Sequence, residues 1–213
     1  MDTAIQKQIA LIHPTRVLLL GGLNGAFPPN TDFSDYQIGL LMSEYRRIYC
    51  EGGWYFFTVV THNREKILTQ PANITRLRQS FHLVKEHYPF FIDAIVILPD
   101  HIHCIWRLPP EDSNFSVRWK LIKRYFSSGM AIPSTTRGEK KVWQRRFWEH
   151  LLRNEKDWHA HMDYIHYNPV KHGYVKSPKD WRYSSFHNAV KRGLYVEDWG
   201  AAEPSSIQEM NIE

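Results

Sequence analysis

The chain has 213 residues, enough for one domain with extensions, and its 43% hydrophobic residues can fill a core. Two cysteines, Cys50 and Cys104, exclude a disulfide framework, and residues 16–23, the most apolar N-terminal stretch, are too short for a membrane span and lack a signal-peptide layout, so a soluble cytoplasmic chain with no membrane partner is expected. A net charge of +5 with 14% aromatic residues points to a nucleic-acid partner, because Lys and Arg meet phosphates while rings stack on bases; a solvated basic surface would give the same composition.

Residues 1–41 are rich in Gly, Pro and Asn and carry no sustained period, so they read as an irregular extension. "WYFFTVVT" (54–61) is aromatic and β-branched and predicts a buried strand. Residues 71–89 predict a helix opened by Pro71, with Ile74, Leu77, Phe81 and Val84 near helical spacing. Residues 90–99 predict a second strand, and 101–108 a third, antiparallel to it because only Pro99-Asp100 joins them. Residues 114–130 predict an amphipathic helix with Phe115, Trp119, Ile122 and Phe126 as its apolar stripe and Arg118, Lys120, Lys123 and Arg124 as basic residues. Residues 132–141 are a polar loop, and 142–153 favour a strand in which aromatics and Arg145/Arg146 alternate around Phe147. Residues 154–168 predict a helix capped by Asn154 and stopped by Pro169, and a short helix follows near 184–192. The order β-α-β-β-α-β-α, with an antiparallel pair, argues for an α+β sandwich: an antiparallel sheet with helices packed on it.

Three groups carry chemistry. His101 and His103 stand two apart on a strand and so share a face, where two neutral imidazoles can converge on one divalent ion. The competing reading is a pair of satisfied histidines near a strand end. On the helix at 154–168, His161, Tyr164 and Asn168 share a face. A tyrosine phenolate can attack a phosphodiester, and Asn168 offers a neutral oxygen ligand; packing of "DYIHYNP" on the sheet is the bland alternative. The third group is basic and aromatic: Tyr45, Arg46, Arg47, Arg145, Arg146, Arg153, Lys171 and His172, interleaved with Trp143, Phe147 and Trp148, suited to phosphates and unpaired bases.

Together these residues resemble the HUH single-tyrosine transposases, and more closely the REP-associated tyrosine transposases. The resemblance runs from "MSEYRRIYCEGGWYFFTV" through "LPDHIHCIWRLP", "FSVRWKLIKRYF" and "WQRRFWEHLLRN" to "DYIHYNPVKHGYV", "DWRYSSFH" and "GLYVEDWG", about residues 42–200. An HxH alone is weak; these segments in this order are specific. The resemblance implies a ferredoxin-like sandwich with the HUH strand central and the tyrosine helix beside it. It implies His101 and His103 as catalytic metal ligands, Tyr164 as nucleophile, and Asn168 as third ligand where relatives often carry Gln. It also implies Mg²⁺ or Mn²⁺ as cofactor, and cleavage and rejoining of single-stranded DNA at REP-like hairpins through a 5′-phosphotyrosine. Monomer and homodimer both stay open, as do a non-catalytic hairpin-binding protein and a metal-dependent nuclease using water.

The expected organisation is an extension over 1–41, a transposase domain over 42–200 and a tail over 201–213, with Met42 as the expected initiator. The loop "AIPSTTRGEKK" (131–141) is longer than the family pattern needs. A phenol ordinarily ionises near pH 10, so the metal or a base must favour the phenolate; His161, His166 and a water all qualify.

Overall fold

The computed structural model describes residues 47–132, 140–208 and 210. The N-terminal extension, the candidate Arg46 and most of the 131–141 loop lie outside the described residues. The elements are β1 (Trp54–Val60), α1 (Pro71–His87), β2 (Phe91–Ile97), β3 (His101–Arg107), α2 (Phe115–Ser128), β4 (Trp148–Leu151), α3 (Glu155–Lys171) and α4 (Phe186–Lys191), with short 3₁₀ turns between some of them. The four strands form one antiparallel sheet in the order β2-β3-β1-β4, the ferredoxin-like arrangement, and β3 with its histidines lies in the interior.

Alternation along the strands sends side chains to two cores. Tyr55, Phe57 and Val59 of β1 and Ile102, Cys104 and Trp106 of β3 meet α1 and α2, which contribute Ile74, Leu77, Phe81, Val84, Phe115, Trp119, Ile122 and Phe126. Trp106 stacks on Trp119 at 4.3 Å and 14°, and such pairs add about 0.5–1.5 kcal/mol beyond burial. On the other face Phe56, Ala94, Val96 and Ile105 meet Trp158, Met162 and Ile165 of α3. A register shift between Ile92 and Ala94 lets β2 place Ile92 and Ile95 in the first core and Ala94 and Val96 in the second. With both faces covered, six of the seven β3 residues are buried, and His101 and His103 face α3 rather than water.

Three expectations are corrected. The strand expected over 142–153 is ordered as a strand only at Trp148–Leu151, preceded by a single bridge from Trp143 to Thr61. Trp143 instead turns into the core against Phe126, 5.0 Å between rings, so the chain leaves sheet register until Trp148. Pro169 does not stop α3; it lies inside the helix. A proline near the C-terminal end costs one amide donor and keeps a helical φ. The stop is Gly173, φ +70°, whose N–H donates to Val170 O (2.8 Å) while Tyr174 N–H donates to Pro169 O (2.9 Å), a Schellman closure. Arg118 is not a surface cation: it is buried and donates to Asp112 Oδ2 (2.6 Å), Asp112 Oδ1 (3.0 Å), Pro89 O (2.7 Å) and Asn114 O (2.9 Å), tying α2 to the entry of β2. Asn154 caps α3 as expected, its Oδ1 accepting from Asp157 N–H at 2.9 Å.

Candidate active site

The histidine pair is buried and oriented from below. The imidazole rings of His101 and His103 lie 4.8 Å apart in a T arrangement. His103 Nδ1 is 2.9 Å from Thr58 Oγ1, because Thr58 stands directly opposite it in the β1–β3 register. His101 Nδ1 is 2.7 Å from Asp100 Oδ1 in the β2–β3 turn. Burial alone would raise the Asp100 carboxyl, but hydrogen bonding to His101, the charge of His101 and Arg64 outweigh it and hold the pKa down at about 2.

That carboxylate is itself positioned. Arg64 Nη1 reaches Asp100 Oδ2 at 3.3 Å, and Thr61 donates from both N–H (2.8 Å) and Oγ1 (2.9 Å) to Asp100 O. The preceding turn needs left-handed backbone at Asn63 (φ 52°) and Arg64 (φ 53°), which is uncommon for residues with side chains. Thr58, Arg64 and Asp100 were not singled out as site residues in the sequence. Only Asp100 left a local signal, since it adjoins the histidine pair in "PDHIH".

The helix α3 lies across this pair. Tyr164 is fully buried, with its ring 5.2 Å from that of His103. Two turns on, the ring of His172 is 5.3 Å from that of His101. Asn168, fully buried, lies one turn beyond Tyr164 on the same helical stripe. The structure therefore brings His101, His103 and Tyr164 together, with Asn168 buried one turn further along the tyrosine helix. Lys171 Nζ sits 4.9 Å over the Tyr164 ring. Of the candidate bases, His166 turns the other way: its Nε2 is 2.9 Å from Ser185 Oγ, its ring packs on Phe186 and Tyr195, and burial lowers its pKa to about 3. His161 lies one turn before Tyr164, with Nδ1 2.8 Å from Asp157 O. The Phe56 ring stands between, 4.7 Å from His161 and 5.4 Å from His103.

Beside the pair, a groove of about 600 Å³ is lined by Arg47, Thr58, Val60, Gln144, Arg146, Phe147 and Trp148. Trp148 is paired with Thr58 in the register and is 40% exposed. Arg145, Arg146, Arg153 and Lys171 are exposed. Arg47, expected at phosphates, has its guanidinium held by Ser116 Oγ (2.8 Å), Glu149 (3.4 Å) and the face of Phe147 (4.1 Å). No helix of the described residues is long and apolar enough to cross a membrane.

Comparison with known proteins gives a consistent result. Residues 51–168 match the family model described as IS200-like transposase. A REP-associated tyrosine transposase of Escherichia coli K12 is 50% identical over 159 residues, covering 74% of this chain and 91% of the relative. A Haemophilus influenzae relative is 48% identical over 169 residues, covering 75% of this chain and 94% of the relative. A solved structure of a REP-associated tyrosine transposase bound to a REP hairpin is 47% identical, superposes with a TM-score of 0.67, and covers 80% of this chain and 99% of that one. The chain belongs to the IS200-like transposases and, among them, to the REP-associated tyrosine transposases.

Proposed function

We propose that this transposase cleaves and rejoins single-stranded DNA beside REP-like hairpins, with Tyr164 as nucleophile and a 5′-phosphotyrosine as the covalent intermediate. The observation that carries the reading is the approach of the Tyr164 ring to His103 over a histidine pair whose Nδ1 atoms are both engaged on the strand side. That engagement makes Nε2 the metal-binding nitrogen of each ring, as when outer partners orient ligating histidines. With the Asn168 carboxamide as third ligand, two imidazoles and one neutral oxygen would suit Mn²⁺, or Mg²⁺ once phosphate and water oxygens complete its shell. Such an ion supplies charge stabilisation at the phosphoryl oxygens.

The chain's own residues do the rest. Lys171 is exposed and holds its ammonium over the Tyr164 ring, where it would meet the phosphate that approaches the phenol. Tyr164 Oη then attacks phosphorus, and the 3′-oxygen leaves as a hydroxyl after gaining a proton. A second 3′-hydroxyl later attacks the phosphotyrosine and restores the tyrosine, so no nucleoside triphosphate is consumed. Arg145, Arg146, Arg153 and Lys171 contact phosphates, and Trp148 offers a face for an unpaired base; Arg47 shapes the groove from within. A hairpin DNA substrate places this work in the cytoplasm at the nucleoid.

The test is incubation with single-stranded REP-type hairpins and Mn²⁺, followed by denaturing electrophoresis. A protein–DNA adduct is expected, absent in Tyr164→Phe, which still shifts the hairpin in a native gel. His101→Ala and His103→Ala are expected to lose cleavage. An adduct of equal yield with Tyr164→Phe would remove the nucleophile assignment, and cleavage without any adduct would replace it by water attack.

A further inference from the structure

We infer that His150, Asp157 and His161 form a second transition-metal site, separate from the histidine pair, that fastens β4 to the first turns of the tyrosine helix. Their ligand atoms all lie within 4.8 Å of one another. His150 Nε2 is 2.9 Å from Asp157 Oδ2, and His161 Nδ1 is 3.0 Å from Asp157 Oδ1. Ligands around a tetrahedral zinc ion stand about 3.4 Å apart, from bonds of about 2.0–2.1 Å, so the ligand spacing needs only a small adjustment, and His161 Nδ1 exchanges its contact with Asp157 O (2.8 Å) for the ion.

The donor chemistry selects the ion. Two imidazoles and one carboxylate suit Zn²⁺ or Co²⁺. His161 is buried while the His150 and Asp157 side chains are 27% and 20% exposed, leaving an entry path and room for a water as fourth ligand. Asp157 is already oriented, because its Oδ2 also accepts from Arg153 N–H at 3.0 Å. The two imidazoles stack at 4.8 Å and 17°, one from the sheet edge and one from the helix. Phe56 separates this cluster from His103, so the two sites are distinct.

Equilibrium dialysis of the full chain against Zn²⁺, without DNA, tests the inference. The wild type is expected to hold two equivalents and His103→Ala one. His103→Ala combined with His150→Gln is expected to hold none tightly. His150 is partly exposed on a short edge strand, so His150→Gln is expected to fold, as checked by circular dichroism; Asp157→Asn, which keeps an acceptor for Arg153 N–H, provides a second variant with at least a tenfold weaker site. Zn²⁺ should also raise the Tm of His103→Ala and not that of the double variant. A His103→Ala protein that binds no Zn²⁺, or binding unchanged by His150→Gln, overturns the site.

Discussion

Thr58→Val tests the proposed metal pair without touching a ligand. Valine keeps the volume and the β-branch but deletes Oγ1, which lies 2.9 Å from His103 Nδ1. A buried hydrogen bond of this kind contributes about 1 kcal/mol net, and a stranded buried N–H costs roughly 1–3 kcal/mol. That cost falls on one tautomer: the form protonated on Nδ1, whose Nε2 lone pair faces the metal. The other tautomer escapes it by placing the proton where the ion must bind. The resting protein therefore loses about 1 kcal/mol or less, a Tm decrease of about 2–4 °C. Mn²⁺ affinity is expected to fall about 10–100-fold, which is about 1.4–2.7 kcal/mol. The assay is the Mn²⁺ concentration for half-maximal adduct formation, supported by calorimetric Mn²⁺ titration of the DNA-free protein. A Thr58→Val curve superimposed on the wild type would refute the argument that Thr58 sets the His103 tautomer.

Other outcomes follow from single contacts. Arg118→Met leaves Asp112 and the Pro89 carbonyl without their buried partner, so a loss of roughly 3–5 kcal/mol and a Tm drop on the order of 10 °C are expected in thermal melts. Trp148→Ala removes a half-exposed indole beside the groove and is expected to weaken binding of single-stranded flanks by about 1–3 kcal/mol per stacked base, read by fluorescence anisotropy, with hairpin-stem binding unchanged. His166 has its pKa lowered to about 3 by burial, so between its ordinary value and that one the unfolded chain binds a proton that the native state refuses. Its stabilising contribution is complete above the ordinary histidine pKa of about 6.5 and declines as pH falls towards about 3. Near pH 5.5 the loss is about 1.4 kcal/mol, and urea melts of His166→Gln should lack that part of the slope. Zn²⁺ added to His103→Ala should still slow backbone exchange at the start of α3.

Much of the architecture was legible because it depends on local pattern. Ile74, Leu77, Phe81 and Val84 recur at helical spacing, and "WYFFTVVT" permits little but a buried strand. The short connection at Pro99-Asp100 forced an antiparallel pair. Where the reading failed, a distant partner decided the outcome. Arg118 looked like any basic residue of an amphipathic helix until the β2 entry supplied carbonyls for its guanidinium. Trp143 looked like part of a strand until Phe126 drew it inward. Pro169 read as a stop because its missing donor is visible in sequence, whereas the Gly173 closure depends on backbone bonds to Val170 and Pro169.

The candidate site divides the same way. By itself the sequence determined that His101 and His103 share a strand face and that Tyr164 and Asn168 share a helix face, since residue spacing and backbone period suffice for that. Only the tertiary structure decided that the two faces meet, with β3 inside the sheet and α3 laid across it, because burial on both sides leaves the helix one apolar face of the sheet to cover. It also decided what supports them. Thr58, Asp100 and Arg64 act through register, turn and backbone strain, and a cross-strand neighbour or a side chain 36 positions away leaves no trace in linear spacing.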